Sequence, residues 1–176
     1  LTITIEGEMG ILIAVGDDAN FLISAGGFHP SFTPPPLPFP SPKRIAFSLI
    51  DSPYASIRVE AYFALTTNTV QFGTSAQLKF DFSVIVIEGH FSFDALMRFS
   101  PLYFIVEVSA GCVLKVAGQG VFNVDLGIAL EGPTPWRARG HAEVSVLCFK
   151  VSKDFDETWG DVVVAVTQPV ALRALI

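Results

Sequence analysis

Residues 104–116, FIVEVSAGCVLKV, alternate strictly between two sets of side chains. The apolar set is Phe104, Val106, Val108, Ala110, Cys112, Leu114 and Val116. Residues 122–131, FNVDLGIALE, repeat the pattern, with apolar side chains at every even position. Successive side chains of a β-strand point to opposite faces of its sheet, so this period of two predicts half-buried strands.

The same alternation extends over most of the chain and is interrupted by Gly, Pro, Asn and Asp. It predicts strands within residues 2–25, 44–50, 56–66, 70–88, 90–99, 104–116, 122–131 and 136–155, the last segment as one long strand or a pair. We expect a bend or bulge at Gly89 and another bulge within residues 146–149, where the apolar face switches. No helical stripe is convincing, although Pro169 suits the first turn of a short helix.

These patterns predict an all-β fold, a long antiparallel meander that forms a large curved sheet, a half-barrel or a barrel. The composition adds that 51% of the residues are hydrophobic, only 16% are charged, and 16 are Phe. A lone monomer would have difficulty burying so much apolar surface. Part of it is therefore expected to contact a partner, another segment or a ligand.

Bulk properties exclude some functions and leave the boundaries of the chain open. The net charge is −6 and the cations are scattered, with Arg137 and Arg139 as the densest group, so we expect no nucleic-acid partner. The longest apolar runs, such as 11–15 and 162–166, are far shorter than the roughly 20 residues of a membrane-spanning helix. We expect residues 1–176 to be a single β-rich domain or a fragment of a larger β-rich chain.

A proline-rich connection occupies residues 26–42. Proline lacks the N–H that a central strand must donate, so this segment should be extended and lie across a surface. Its expected anchors are Phe28, Phe32, Leu37 and Phe39. A less favoured interpretation is a docking peptide for an aromatic groove, although no PxxP repeat with flanking basic residues stands out.

The best candidate site is a set of four alternate residues on one strand face, Arg137, Arg139, His141 and Glu143. Such a group could bind an anion or act in acid–base chemistry, but a solvated polar face with cross-strand partners is the favoured interpretation. A second acidic group resembles a calcium cluster but lacks the spacing of an EF-hand loop, and a solvated turn is favoured. Its members are Asp154, Asp156, Glu157 and Asp161.

The cysteines and tryptophans have ordinary explanations. Cys112 and Cys148 lie in apolar patterns and are expected to be buried small hydrophobic residues, while a disulfide between them stays open. Without a CxxC pair, an HExxH motif or a GxSxG motif, the chain predicts no zinc site, no nucleophile elbow and no cofactor. Trp136 and Trp159 are expected to anchor a core at strand ends.

Five stretches, in order along the chain, carry a family resemblance. They are GGFHP at 26–30, YFALTTNTVQFG at 62–73, FDAL at 93–96, LEGPTPWRARG at 130–140 and FDETWG at 155–160. Over roughly residues 20–161 the chain resembles a segment of large bacterial proteins that carry a DUF6603-type domain of unknown function. The resemblance implies a long β-rich chain and transfers no catalytic residue.

The first hypothesis is therefore a non-enzymatic structural or assembly module that packs against identical copies or other segments of the same larger chain. The alternative is a carrier that binds lipid-like ligands on a concave apolar sheet face, as apolar pockets do. An enzyme that uses Arg139, His141 and Glu143 is the third hypothesis. The sequence does not indicate a cellular compartment.

Overall fold

The computed structural model describes residues 3–17, 19–34, 39, 41–133 and 135–161. These residues form eleven β-strands. The strands are β1 (Thr4–Glu6), β2 (Met9–Ala14), β3 (Asn20–Ala25), β4 (Ile45–Asp51), β5 (Ala55–Thr66), β6 (Thr69–Asp81), β7 (Ile85–Arg98), β8 (Tyr103–Val116), β9 (Gln119–Gly132), β10 (Trp136–Val146) and β11 (Phe149–Trp159). The described residues contain no helix of the length and apolarity needed to cross a membrane.

All eleven strands belong to one antiparallel sheet, which confirms the all-β meander. From β5 to β10 each strand pairs with the strand before it and the strand after it in sequence, and β11 pairs with β10 at the edge. The two ends of the pairing order are β1 and β11, and no pairing between described strands joins them. The sheet is therefore open, and the closed barrel that the sequence also allowed does not form within the described residues.

The sheet divides at β5, which has two different neighbours on the same side. The first half of β5 pairs with β4, from Ser56 with Asp51 to Ala61 with Ile45. The second half pairs with β3, from Phe63 with Ala25 to Thr66 with Leu22. β1 extends the sheet beyond β4, and β2 extends it beyond β3. The connection from β3 to β4, residues 26–44, is called the strap here.

The predicted strand across residues 70–88 is wrong, because the chain turns within it. β6 ends at Asp81, β7 begins at Ile85, and Ser83 between them has a φ of 68°. The apolar residues Phe82 and Val84 continue the alternation through this turn, so the pattern gave no sign of it. Gly89 lies inside β7 and pairs with Leu78 and Cys112 without a shift of register, so the predicted bulge is absent there.

The apolar face switches near residue 147 because of a tight hairpin and not because of a bulge. β10 and β11 pair from Trp136 with Trp159 to Val146 with Phe149, which leaves Leu147 and Cys148 as the turn. Leu147 has a φ of 53°, as two-residue hairpins often require at their first turn position. The register shifts of the sheet lie elsewhere, between Ser48 and Ile50 and between Leu114 and Lys115.

The best-buried part of the chain lies where the strap crosses the sheet over β3, β5 and β6. The largest fully buried side chains are Leu22, Ser24, His29 and Gln71. Three of these four are polar, and by contrast many large apolar side chains are exposed. The strap therefore creates a small polar core, and the sheet on its own does not bury its hydrophobic residues.

Candidate functional site: two faces and a strap

Pairing in register gives the sheet two chemically different faces. The polar face includes the cross-strand row Asp94, Glu107, Ala129, Arg139 and Asp156, on strands β7 to β11. The apolar face includes the adjacent row Phe93, Val108, Ile128, Gly140 and Phe155. Because the strands stay in step over 11 to 14 residues, each face keeps its character across the sheet.

The four candidate residues of β10 lie together on the polar face, and each has a partner of opposite charge. Arg137 donates to both carboxylate oxygens of Asp156, with a distance of 2.8 Å from Nε to Oδ1. Nη2 of Arg139 lies 3.8 Å from Oε1 of Glu107. His141 lies between two carboxylates, with Nδ1 at Asp154 and Nε2 at 3.6 Å from Oε2 of Glu143.

Protonation of this surface follows from these contacts. The hydrogen bond from Arg137 lowers the pKa of Asp156, and the carboxylate of Asp154 raises the pKa of His141. Nζ of Lys150, 2.9 Å from Glu143, lowers the pKa of that carboxyl. The charges thus neutralise one another across β9, β10 and β11, which is a poor arrangement for binding an anion. All four side chains have charged partners, most of them across the strands, and a role for them in anion binding or acid–base chemistry stays a prediction.

A shallow cavity of about 650 Å³ lies over the middle of the polar face. Its floor contains the row Ser92, Ser109, Gly127, His141 and Asp154, and nothing lies within 4 Å of a Cβ built on Gly127. Ser, His and Asp are the residue types of a nucleophilic triad, but β9 separates Ser109 from His141. The Ser109 hydroxyl instead contacts Ser92 at 2.8 Å, so Ser109 and His141 do not form a nucleophile–base pair in this row.

The acidic group is solvated as expected, but the predicted turn is wrong, because Asp154, Asp156 and Glu157 lie within strand β11. Asp154 and Asp156 lie on the polar face against His141 and Arg137, whereas the register places Glu157 on the apolar face. Within the described residues no three His, Cys, Asp or Glu side chains are grouped closely enough to hold a metal ion.

The strap is fixed to the polar face by a buried hydrogen-bond network around His29. The backbone N–H of His29 donates to Oε1 of Gln71 at 2.9 Å, and Nε2 of Gln71 donates to Oγ1 of Thr69. The N–H of Ser31 donates to Nδ1 of His29 at 3.1 Å. Nδ1 is therefore an acceptor, and the neutral ring carries its proton on Nε2, 3.9 Å from Oε2 of Glu107.

The electrostatics of His29 follow from this burial. Desolvation lowers the pKa of His29, and this effect outweighs the carboxylates of Asp94 and Glu107, which raise it. Nε2 has no hydrogen-bond partner among the described residues. Nearby, the guanidinium carbon Cζ of Arg44 lies 3.9 Å from the centroid of the Tyr62 ring. The hydroxyl of Tyr62 donates a hydrogen bond to Asp94. His29 is thus a neutral, buried contact between the strap and β6.

Three of the four predicted strap anchors are described, and they form one aromatic cluster. The ring of Phe28 lies 5.3 Å from that of Phe32 and 5.8 Å from that of Phe39, between centroids. Phe39 also contacts Gly10 of β2 closely enough that a Cβ there would meet its ring. Leu37, residues 162–166 and the possible helix after Pro169 lie outside the described residues.

The burial predicted for the cysteines and tryptophans does not hold. Cys112 is exposed on the apolar face of β8, and Cys148 is exposed in the β10–β11 turn. The rings of Trp136 and Trp159 stack across β10 and β11 with centroids 6.4 Å apart, yet Trp159 is 49% exposed. Cys112 and Trp159 lie on the apolar face, which has no layer over it within the described chain, and Cys148 lies in an exposed turn.

The apolar face is the largest feature that no side chain of the described strands covers. From β5 to β10 its positions carry no charged residue. Exposed members include Phe63, Phe72, Leu78, Phe91, Met97, Leu126, Ile128, Val144 and Val146. The sequence indicated excess apolar surface, but only the register shows that it forms one continuous face.

These observations define an open, two-faced antiparallel β-sheet with a strap locked onto its polar face. The chain belongs to a family of unknown function, DUF6603, whose profile matches residues 2–175. No curated protein and no solved structure matches the chain.

Proposed function

We propose that this chain is a non-enzymatic structural module whose apolar sheet face packs against a second β-layer in a larger assembly. The observation that carries the proposal is the uncharged face of β5 to β10, with side chains such as Phe72, Phe91 and Ile128 more than a third exposed. Monomeric soluble proteins rarely present a contiguous apolar surface of this size to water. Two sheets that pack face to face bury such surfaces about 10 Å apart.

The properties of the polar face also support the role of a structural module with one face toward water. Its charges are paired, as in Arg137 with Asp156 and Lys115 with Glu88, and it remains hydrated. A sheet with one water-facing side and one apolar side is the usual half of a two-layer β architecture. The resemblance to long bacterial β-rich chains suggests copies of this module or other segments of one polypeptide as the second layer.

A lipid-like ligand on the apolar face is the second candidate. It is supported by the same uncharged surface, because acyl chains bind where no charge must be desolvated. The distribution of cavities favours the first candidate. The cavities of about 650, 620 and 530 Å³ are lined mainly by polar-face and strap residues. A broad apolar surface fits a flat sheet better than a single chain-like ligand.

The two native cysteines provide a direct test of whether the apolar face is covered. Cys112 lies on that face and Cys148 lies in the β10–β11 turn, and both are exposed in the isolated chain. A covering layer should make labelling of Cys112 by a maleimide at least about tenfold slower than labelling of Cys148. Peptide mass spectrometry of a labelling time course measures the two rates separately.

Denatured protein is the control for this test, because both thiols should then react at similar rates. Equal native rates at all protein concentrations would contradict the proposal. Slow labelling of Cys112 together with a lipid that can be extracted in stoichiometric amount would favour the carrier instead.

A further inference from the structure

We propose that the second layer is another copy of this chain, related by a two-fold axis that crosses the strands along the row Phe93–Val108–Ile128–Gly140–Phe155. This inference rests on the proposed function and adds the identity of the partner and the register of the interface. In this arrangement each strand lies over its own counterpart in the antiparallel direction. On the apolar face, a side chain two residues before the axis row then faces the side chain two residues after that row on the same strand of the partner. One row on this face therefore corresponds to two residues along the strand.

The size of the face is sufficient for such a dimer. Strands of 11 to 14 residues are about 40 Å long, and the seven strands β5 to β11 are about 30 Å wide. The product is about 1,200 Å² of sheet face for each copy, against about 800 Å² for each partner in a standard stable interface. Two sheets that pack at an angle of about 30° do not overlap at their corners, but the remaining overlap is still large enough for a stable interface.

Four pairs of positions on β6, β7 and β8 combine a large side chain with a small one across this axis. On β7, Phe91 would face Ala95 of the other copy, because the two residues lie one row either side of Phe93. On β6, Ala76 would face Phe72 by the same rule. Two rows out, Gly89 would face Met97 and Cys112 would face Phe104. Large residues thus oppose small ones on three neighbouring strands, which is the condition for close interdigitation of two sheets.

The charges on the apolar face fit the same axis. On β11 the register places Lys153 and Glu157 on this face, one row either side of Phe155. No ion-pair partner for either side chain exists among the described residues. The two-fold axis would bring Lys153 of each copy opposite Glu157 of the other at the rim of the interface. A face that is neutral at its centre and self-complementary at its edge favours a second copy over a partner of different charge.

A charge-swap experiment on the full chain tests this register. Lys153→Glu should weaken dimerisation about tenfold, because both rim contacts become repulsive. Glu157→Lys should weaken it similarly. A mixture of the two single variants should form a mixed dimer with affinity near that of the parent, as should the double variant Lys153→Glu/Glu157→Lys. Sedimentation equilibrium and native mass spectrometry measure these affinities and compositions.

A second pair of variants keeps the test independent of the rim. Leu126→Lys on the apolar face of β9 should abolish the dimer, and Asn123→Lys on the polar face of the same strand should leave it unchanged. Both substitutions add one positive charge to β9, so a difference in dimerisation between them shows which face of the sheet forms the interface. Circular dichroism checks that each variant remains folded.

The outcomes separate this inference from the function it rests on. A dimer with slow Cys112 labelling and rescue in the mixture supports both. A monomer whose Cys112 is nevertheless protected overturns the second copy and leaves a covered face, with a different layer over it. A monomer with freely reactive Cys112 overturns both. A dimer that Leu126→Lys does not affect uses another surface and overturns the inference.

Discussion

Gln71 and Phe72 are neighbours on β6, and they reverse the usual relation between polarity and burial. Gln71 is 0% exposed because the strap covers it, whereas Phe72 is 46% exposed on the opposite face. The region under the strap and the bare apolar face are two sides of the same strands. The comparison teaches that burial in this chain depends on what lies over each face and not on the hydrophobicity of the residue.

The largest effect should come from adding a methyl group where the strap leaves β3. Gly26 has a φ of 78°, and a Cβ built on it would overlap the carbonyl oxygen of Ala61. Gly26→Ala should therefore lower the free energy of unfolding by about 3 kcal/mol. Gly127→Ala, with open space and no positive φ, should raise it by about 0.5 kcal/mol. Urea denaturation measures the free energy of unfolding of both variants. Equal changes would contradict the expected difference between the covered Gly26 and the open Gly127.

Removing the buried amide should have the next largest effect. Gln71→Ala deletes the acceptor of the His29 N–H and leaves that donor buried without a partner. We expect a loss of about 2–3 kcal/mol in the free energy of unfolding. Gln77, on the same strand and face but exposed, is the matched control, and Gln77→Ala should change stability by less than about 0.5 kcal/mol. Equal losses would show that the strap is not held through Gln71.

Lowering the pH should loosen the strap through His29. Burial lowers the pKa of His29 below its ordinary value of 6.5, so at intermediate pH the unfolded chain binds more protons than the folded chain. The free energy of unfolding therefore falls as pH drops from 6.5 through the lowered pKa, and the contribution is fully present above 6.5. Protonated Nδ1 can no longer accept from the N–H of Ser31.

The measurement is the urea midpoint of the parent and of His29→Gln at pH 7.5 and pH 5. The parent should lose more stability on acidification than His29→Gln. His141 acts in the opposite direction, because its raised pKa stabilises the fold below 6.5 and this contribution is lost as pH rises through that pKa. His141→Gln in both backgrounds removes this effect. A parent and a His29→Gln variant with identical pH profiles would rule out His29 as the origin.

The smallest effect should be at the exposed ion pairs of β10 and β11. Arg137→Gln breaks the two hydrogen bonds to Asp156, but both groups are solvated, so stability should change less than in Gly26→Ala or Gln71→Ala. The remaining difference from the parent should shrink further in 0.5 M salt. Thermal unfolding at low and high salt measures it. A large, salt-independent loss would mean that this pair is covered in the assembled protein.

The parts of the fold that sequence predicts are those set by local pattern. Alternation over 104–116 and 122–131 predicts β8 and β9 almost to their ends, since side-chain direction depends only on position in the strand. The turn at Ser83 was missed because apolar residues continue through it without Gly or Pro. The pattern does not distinguish the hairpin at Leu147 from a bulge, because both shift the apolar set by one position.

The candidate site depends on long-range register, which the sequence does not contain. His29 and Gln71 are 42 residues apart, and no motif links a histidine in a proline-rich segment to a glutamine in a strand. Likewise, the sequence placed Arg137, Arg139, His141 and Glu143 on one face, but their partners lie on β8, β9 and β11. Tyr103 follows the same rule: burial and its hydrogen bond to Glu131 raise the pKa of Tyr103 to about 12.

The consecutive pairing of β5 to β11 has a consequence for how such chains can change in length. Each strand between them depends only on the one before and the one after, and a hairpin contributes two strands that restore the original direction. A whole hairpin can therefore be inserted or lost without altering the register of the rest. Every added hairpin would widen the polar face and the apolar face by the same amount. Duplication of hairpins can therefore enlarge the protein while both surfaces keep their character.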